Sequence, residues 1–183
     1  QVYFWAKEIA AQYGPFDGLF HSSGIEIIKP IRLTTHEDLL KVYESSFYSA
    51  FGLCRAMASK GVLNNGSSIV LMSSVSGLIG QTGMSAYASS KAGIMSLIKT
   101  LACELSHRQI TVNAICAGAI KSEMHARITA SGSDEVINAY ESSHLLGFGE
   151  LADVSNAVIY LLSPAANWIT GTNLIIDGGY TVR

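Results

Sequence analysis

The sequence predicts an α/β fold, a doubly wound parallel sheet with helices on both faces, and three observations predict it. Short apolar runs of strand length alternate with longer stretches of helical period along the whole chain. The run Ser68-Ile69-Val70-Leu71-Met72 is continuously apolar from Ile69 on, as a strand covered on both faces requires. Composition agrees: 49% of residues are hydrophobic and 14% charged, against about 25% charged in an average soluble domain. Residues 1–183 are read as a single domain, of a size that buries roughly 70% of its unfolded surface without help from disulfides or metal.

The elements follow in order. Val2, Trp5, Ala6, Ile9 and Ala10 recur at helical spacing, and Gly14-Pro15 stops that helix. Asp17-Gly18-Leu19-Phe20-His21 reads as a short buried strand ending at Ser22-Ser23-Gly24. Thr34-Thr35-His36-Glu37-Asp38 offers a hydroxyl cap and acids for the first turn of a long helix, periodic from Leu39 to about Ser59. Asn64-Asn65-Gly66 is the expected turn into the strand at Ser68–Met72. A loop punctuated by Gly77, Gly80 and Gly83 leads to a second long helix, Ala86 to His107. The strand Ile110–Cys116, a polar loop from Ala117 to about Ser133, helices near Asp134–Ser143 and Leu151–Leu162, and a last strand Asn173–Ile176 complete the chain.

Charge narrows the function. Twelve basic against fourteen acidic residues leave a net charge of −2, without the basic footprint that nucleic acid or an anionic membrane needs. Apolar stretches stay far short of the roughly 18 residues that span a bilayer, and the amino end lacks the pattern of a secretion signal. Cys54, Cys103 and Cys116 are odd in number and scattered, which fits a reducing compartment and a cytoplasmic protein. Cys103 and His107 have i, i+4 spacing, but a zinc site needs further ligands that the sequence does not place nearby. No metal is expected.

Ser74, Tyr87 and Lys91 carry the candidate chemistry. Tyr87 and Lys91, four apart near a helix start, project from one face, and Ser74 ends the apolar strand, where open α/β sheets place their sites. Together they suit proton transfer to or from a carbonyl or alcohol oxygen. A phenol with pKa near 10 is a weak base at neutral pH, so about 3 pH units must come from nearby positive charge, much of which Lys91 is expected to supply. The spacing alone is weak evidence, since Tyr3 and Lys7 repeat it in a setting that reads as packing.

Context adds to it. The segment Ile69–Gly77 through Tyr87-Ala88-Ser89-Ser90-Lys91, the strand and turn Val112–Gly118, and the closing Ile169-Thr170-Gly171 to Asp177-Gly178-Gly179 resemble the short-chain dehydrogenase/reductase family over nearly the whole chain. The resemblance implies a Rossmann-like sheet and reversible hydride transfer between NAD or NADP and a small carbonyl or secondary-alcohol substrate. It implies Tyr87 as acid/base, Ser74 holding the substrate oxygen, and Lys91 on the cofactor ribose. Ser22, Ser23, Gly24, Ala117, Gly118, Ile120 and Ser122 are the further cofactor positions, Gly118 and Ile120 near the carboxamide and Ser122 near phosphate. A homodimer or homotetramer is implied too, with the small and apolar faces of the two long helices as the expected contact.

Departures from the pattern are specific. His21-Ser22-Ser23-Gly24 stands where the family has Asn-Asn-Ala-Gly, Ser46 where it has a catalytic asparagine, and Ala117 where its turn has proline. His21 is read as a structural substitute, Ser46 as the remaining catalytic position. The glycine-rich phosphate turn of the family, with the first βαβαβ portion, would lie before Gln1; Gly147-Phe148-Gly149-Glu150-Leu151-Ala152 mimics it only as a string, following polar residues and carrying an acid. A cofactor-free relative acting as an oligomer partner or scaffold is therefore the alternative function. The loop Lys121–Ser133 is expected over the substrate, and Asp134, Glu135 and His144 are expected to be solvated helix residues.

Overall fold

A computed structural model describes residues 1–129 and 133–182, without the side chains of 127 and 128. Among these residues four strands, β1 (Phe16–His21), β2 (Leu63–Ser74), β3 (Thr111–Ala117) and β4 (Asn173–Ile176), form one sheet in the order β1-β2-β3-β4. All pairs are parallel, and the register sets His21 beside Leu71, Ser74 beside Ala117, and Ala117 beside Ile176. The carboxyl ends of the strands therefore lie side by side.

Among the described residues, seven α-helices surround the sheet: α1 (Val2–Tyr13), α2 (His36–Tyr43), α3 (Ser49–Ala58), α4 (Ser85–Leu105), α5 (Glu123–Thr129), α6 (Asp134–Ser142) and α7 (Leu151–Leu162). Alternation along β2 divides the core. Ile69 and Leu71 face the layer of α1, α3 and α4, where Ala10, Cys54, Ile94 and Ile98 meet them. Val70 faces the other way, onto Val158 and Leu161 of α7. Each such fully buried aliphatic side chain contributes about 1.5–3 kcal/mol.

Local chemistry sets the starts of the helices. Thr35 accepts the Asp38 N–H at 3.1 Å while the Asp38 carboxylate accepts the Thr35 N–H at 3.0 Å, a reciprocal cap that begins α2. The single long helix expected from Leu39 to Ser59 is interrupted: residues Glu44–Tyr48 form a π-helical turn between α2 and α3. The turn expected at Asn64–Gly66 lies instead within β2, because Leu63 already pairs with Phe16 and the register shifts between Phe16 and Gly18. Asn64 is held there by a 2.8 Å bond from its Nδ2 to Asp17. The polar loop after β3 contains α5, while its residues 130–132 lie outside the described residues.

Candidate functional site

At the carboxyl ends of β1, β2 and β3 a cavity of about 1050 Å³ opens, lined by Ser74, Tyr87, Lys91, Gly24 and Gly118 among others. Ser74 closes β2; Tyr87 and Lys91 come from the first two turns of α4, which crosses behind the strand. All three are buried, at 8%, 9% and 3% exposure.

Ser74 sits in a directed hydrogen-bond chain. Its Oγ accepts the Ser76 N–H at 3.2 Å and donates to Ser76 Oγ at 3.2 Å. Ser76 donates in turn to Gln81 Oε1 at 2.6 Å, and Gln81 Nε2 donates to the Tyr180 hydroxyl at 3.1 Å. Because Gln81 takes the Ser76 proton, Ser76 presents lone pairs to Ser74 and holds the Ser74 proton until a ligand oxygen takes it over.

The Lys91 ammonium donates to Met72 O at 3.0 Å and lies 5.5 Å from the centre of the Tyr87 ring. Burial lowers its pKa to about 8. The Tyr87 phenol moves opposite to expectation, up to about 12: burial raises it first, the charges of Glu26 and Tyr140 add, and hydrogen bonding by Ser74 offsets part. Lys91 was expected to lower it. The ammonium instead faces a backbone carbonyl and the ring, so desolvation of the phenolate prevails, and the phenol is held protonated at neutral pH.

The remaining expected positions divide. Ser22, Gly24, Ala117, Gly118, Ile120 and Ser122 line the cavity, and Ser23 does not. Gly118 is needed as glycine: a Cβ there would lie 2.8 Å from Asp177 Cα, against the turn that closes β4. Ser46 is fully buried in the π turn, and its Oγ has no hydrogen-bond partner among the described residues. It meets the site from behind, since a Cβ on Gly24 would lie 3.0 Å from Ser46 Oγ and 3.2 Å from Lys91 Nζ. His21 also stands behind the cavity, its Nε2 2.8 Å from Ser49 Oγ. Ser49 spends its own proton on Ser45 O at 2.6 Å, so the ring donates through Nε2 and the buried Nδ1 is bare. Burial, then the Lys91 charge, lowers the His21 pKa to about 4.

His144 departs from the expected solvated position. Rather than solvated, it is 3% exposed and stacked on Tyr180, with ring centres 4.4 Å apart. Its Nε2 accepts the Ala119 N–H at 3.3 Å and its Nδ1 lies 3.0 Å from Tyr140 O, so it braces the loop that follows β3. Its partners lie at positions 119, 140 and 180, and that separation hides its role in the sequence. Asp134 and Glu135 are exposed, as expected. Glu26, Gln81 and Tyr140, which also line the cavity, were missed; an acid inside Ile25-Glu26-Ile27-Ile28 is the one signal that pointed to any of them. Of the i, i+4 pair Cys103 and His107, Cys103 is exposed and His107 Nδ1 lies 2.9 Å from Glu104 O. Among the described residues, no helix is long and apolar enough to cross a membrane.

A parallel α/β sheet with this triad at its carboxyl edge defines a class of nucleotide-dependent oxidoreductases, and comparison with known proteins gives the family. Residues 1–181 match the family model described as Enoyl-(Acyl carrier protein) reductase. The chain is 30% identical over 173 residues to the 3-oxoacyl-[acyl-carrier-protein] reductase FabG of Staphylococcus epidermidis, covering 94% of this chain and 70% of that protein. Among solved structures, a short chain dehydrogenase family protein from Francisella tularensis superposes with a TM-score of 0.89 at 28% identity, covering 100% of this chain and 77% of that one. A blue fluorescent protein from a metagenomic library, in complex with NADPH, gives 0.89 at 26% identity, covering 99% and 71%. The chain belongs to the short-chain dehydrogenase/reductase family of oxidoreductases.

Proposed function

We propose that the protein transfers hydride reversibly between NAD(H) or NADP(H) and a small ketone or secondary alcohol, with Tyr87 as the acid/base. The observation that carries this reading is the meeting of Ser74, Tyr87 and Lys91 in one cavity at the carboxyl ends of parallel strands. In the reducing direction the Tyr87 hydroxyl gives its proton to the substrate oxygen as charge develops there, while the Ser74 hydroxyl donates a second bond to the same atom. In the oxidising direction both roles reverse.

The residues present fit a nicotinamide cofactor. An ammonium has three donors, and Met72 O takes one from Lys91; the others suit the vicinal hydroxyls of a ribose. Gly24 and Gly118 leave backbone bare along the cavity wall, with Ser22, Ile120 and Ser122 beside them. When bound, the cofactor supplies or accepts the hydride. Exposed Tyr48 and Phe51 mark the face where we place a second copy, as a homodimer or homotetramer. The scaffold alternative gains no support from the comparisons.

Titration with NADH and, separately, NADPH, followed by nicotinamide fluorescence, tests the reading. Saturable binding weakened in Lys91→Ala, and hydride transfer lost in Tyr87→Phe while the fold persists, are the expected results. Turnover retained by Tyr87→Phe refutes the mechanism.

A further inference from the structure

Glu26 is a carboxylate in the cavity that the reaction above does not use. It follows Gly24 by two residues, in Ile25-Glu26-Ile27-Ile28, and lines the same cavity as Tyr87. Its segment is tied down on both sides. The Ile25 N–H donates to Ser45 Oγ at 3.1 Å, and the Lys29 N–H donates to Gly83 O at 2.9 Å.

The carboxylate has no hydrogen bond or ion pair among the described residues. Lys29, the nearest cation along the chain, is committed to Asp38 at 2.8 Å. Lys91, the other charged group at hand, bonds to Met72 O. Among the described residues no cation pairs with Glu26, and burial pushes its pKa up. It shares that cavity with Tyr87 and Tyr140, and its charge raises the pKa of both phenols. The walls nearby are apolar, with Ile28, Met84 and Val136. Glu26 is half-buried, so part of its hydration is already lost, and a cation arriving from outside would offset that loss.

We propose that Glu26 is a substrate-binding carboxylate, and that the protein's substrates are ketones or secondary alcohols carrying a protonated amine a few bonds from the reacting carbon. This rests on the reading under Proposed function for the position of that carbon. The ammonium donates to Glu26, the apolar walls take the intervening carbons, and the oxygen lies against Tyr87 and Ser74. A substrate with an anionic group at the same place is repelled.

An isosteric pair tests it: 5-(dimethylamino)pentan-2-one, cationic at neutral pH, and 6-methylheptan-2-one, which replaces N–H⁺ by C–H. Binding of each is measured by ligand-observed NMR on the wild-type protein and on Glu26→Gln and Glu26→Asp, with circular dichroism as the check on folding. The amine is expected to bind the wild type roughly ten- to a hundredfold more tightly, the worth of one charge-assisted hydrogen bond. Glu26→Gln should remove the preference and Glu26→Asp keep part of it. Equal affinities in the wild type, or a preference that survives in Glu26→Gln, overturn the proposal. Turnover of the amine, with Tyr87→Phe as control, is scored separately: binding preference without hydride transfer leaves Glu26 standing and overturns the redox reading.

Discussion

Replacing His21 by asparagine should make the protein less sensitive to acid. The imidazole is 4% exposed, donates through Nε2 to Ser49, and keeps Nδ1 bare. Its pKa is lowered from 6.5 to about 4, first by burial and then by the Lys91 ammonium. A group whose pKa is depressed on folding adds stability that is present above its unfolded value and is lost as pH falls toward the folded one. The window is therefore pH 6.5 down to about 4, and the full loss across it is about 3 kcal/mol. At about pH 4.5 the unfolded chain has taken the proton and the folded one mostly has not, which leaves about 2.5 kcal/mol of that loss. Asparagine can still donate to Ser49 but takes no proton. Urea unfolding of both proteins at about pH 7.5 and about pH 4.5 compares the slopes directly. Far-ultraviolet circular dichroism suits the assay, because Trp5 and Trp168 are 56% and 99% exposed and report burial poorly. Other acids titrate in both proteins, so only the difference between the two slopes is read. Parallel losses in wild type and His21→Asn would refute the reasoning.

Three further outcomes are expected. Asn113→Ala should cost about 2–4 kcal/mol in denaturant unfolding, since fully buried Asn113 donates to Ile169 O at 2.8 Å and accepts the Thr172 N–H at 3.2 Å; a midpoint within error of wild type counts against it. Gln81→Leu removes the acceptor that fixes the Ser76 hydroxyl, so the orientation it imposes on Ser74 is lost, and should lower kcat about five- to tenfold with cofactor affinity unchanged; an effect confined to cofactor KM contradicts the hydrogen-bond chain. With Tyr87 held protonated up to about pH 12, alcohol oxidation, which needs the phenolate, should rise with pH through neutrality while ketone reduction does not; an oxidation rate that is flat or falls from about pH 6 to about pH 9 opposes this sign.

Much of the sheet was legible because continuous apolar runs such as Ile69–Met72 admit few other readings. The triad was legible because its members are close in sequence and their spacing is fixed by one strand end and one helix turn. Asn64–Gly66 misled: local turn preference yields when Leu63 pairs with Phe16 and side chains of Asp17 and Arg108 hold Asn64 and Asn65. His144, Gln81 and Tyr180 escaped for the opposite reason, since their contacts join residues up to 99 positions apart and no periodicity records them. The Tyr87 shift escaped as well, because its sign depends on where the Lys91 ammonium points rather than on its being four residues away.

The π turn at Glu44–Tyr48 bears on how this chain tolerates length change. Val42, Ser46, Ala50 and Cys54 are all buried and recur every four residues. In an unbroken helix, at about 100° per residue, twelve residues would carry Cys54 about 120° out of line with Val42; one extra residue accommodated in the wider turn takes back most of that drift. A one-residue deletion here would let the i→i−4 ladder close without a gap, so helix content would survive. Yet everything after the cut would be out of phase with everything before it: aligning α3 on the core would rotate Val42 toward water, and the reverse. In this stretch an insertion and its apolar pattern are matched to each other, and the hydrogen bonds alone would not reveal the loss.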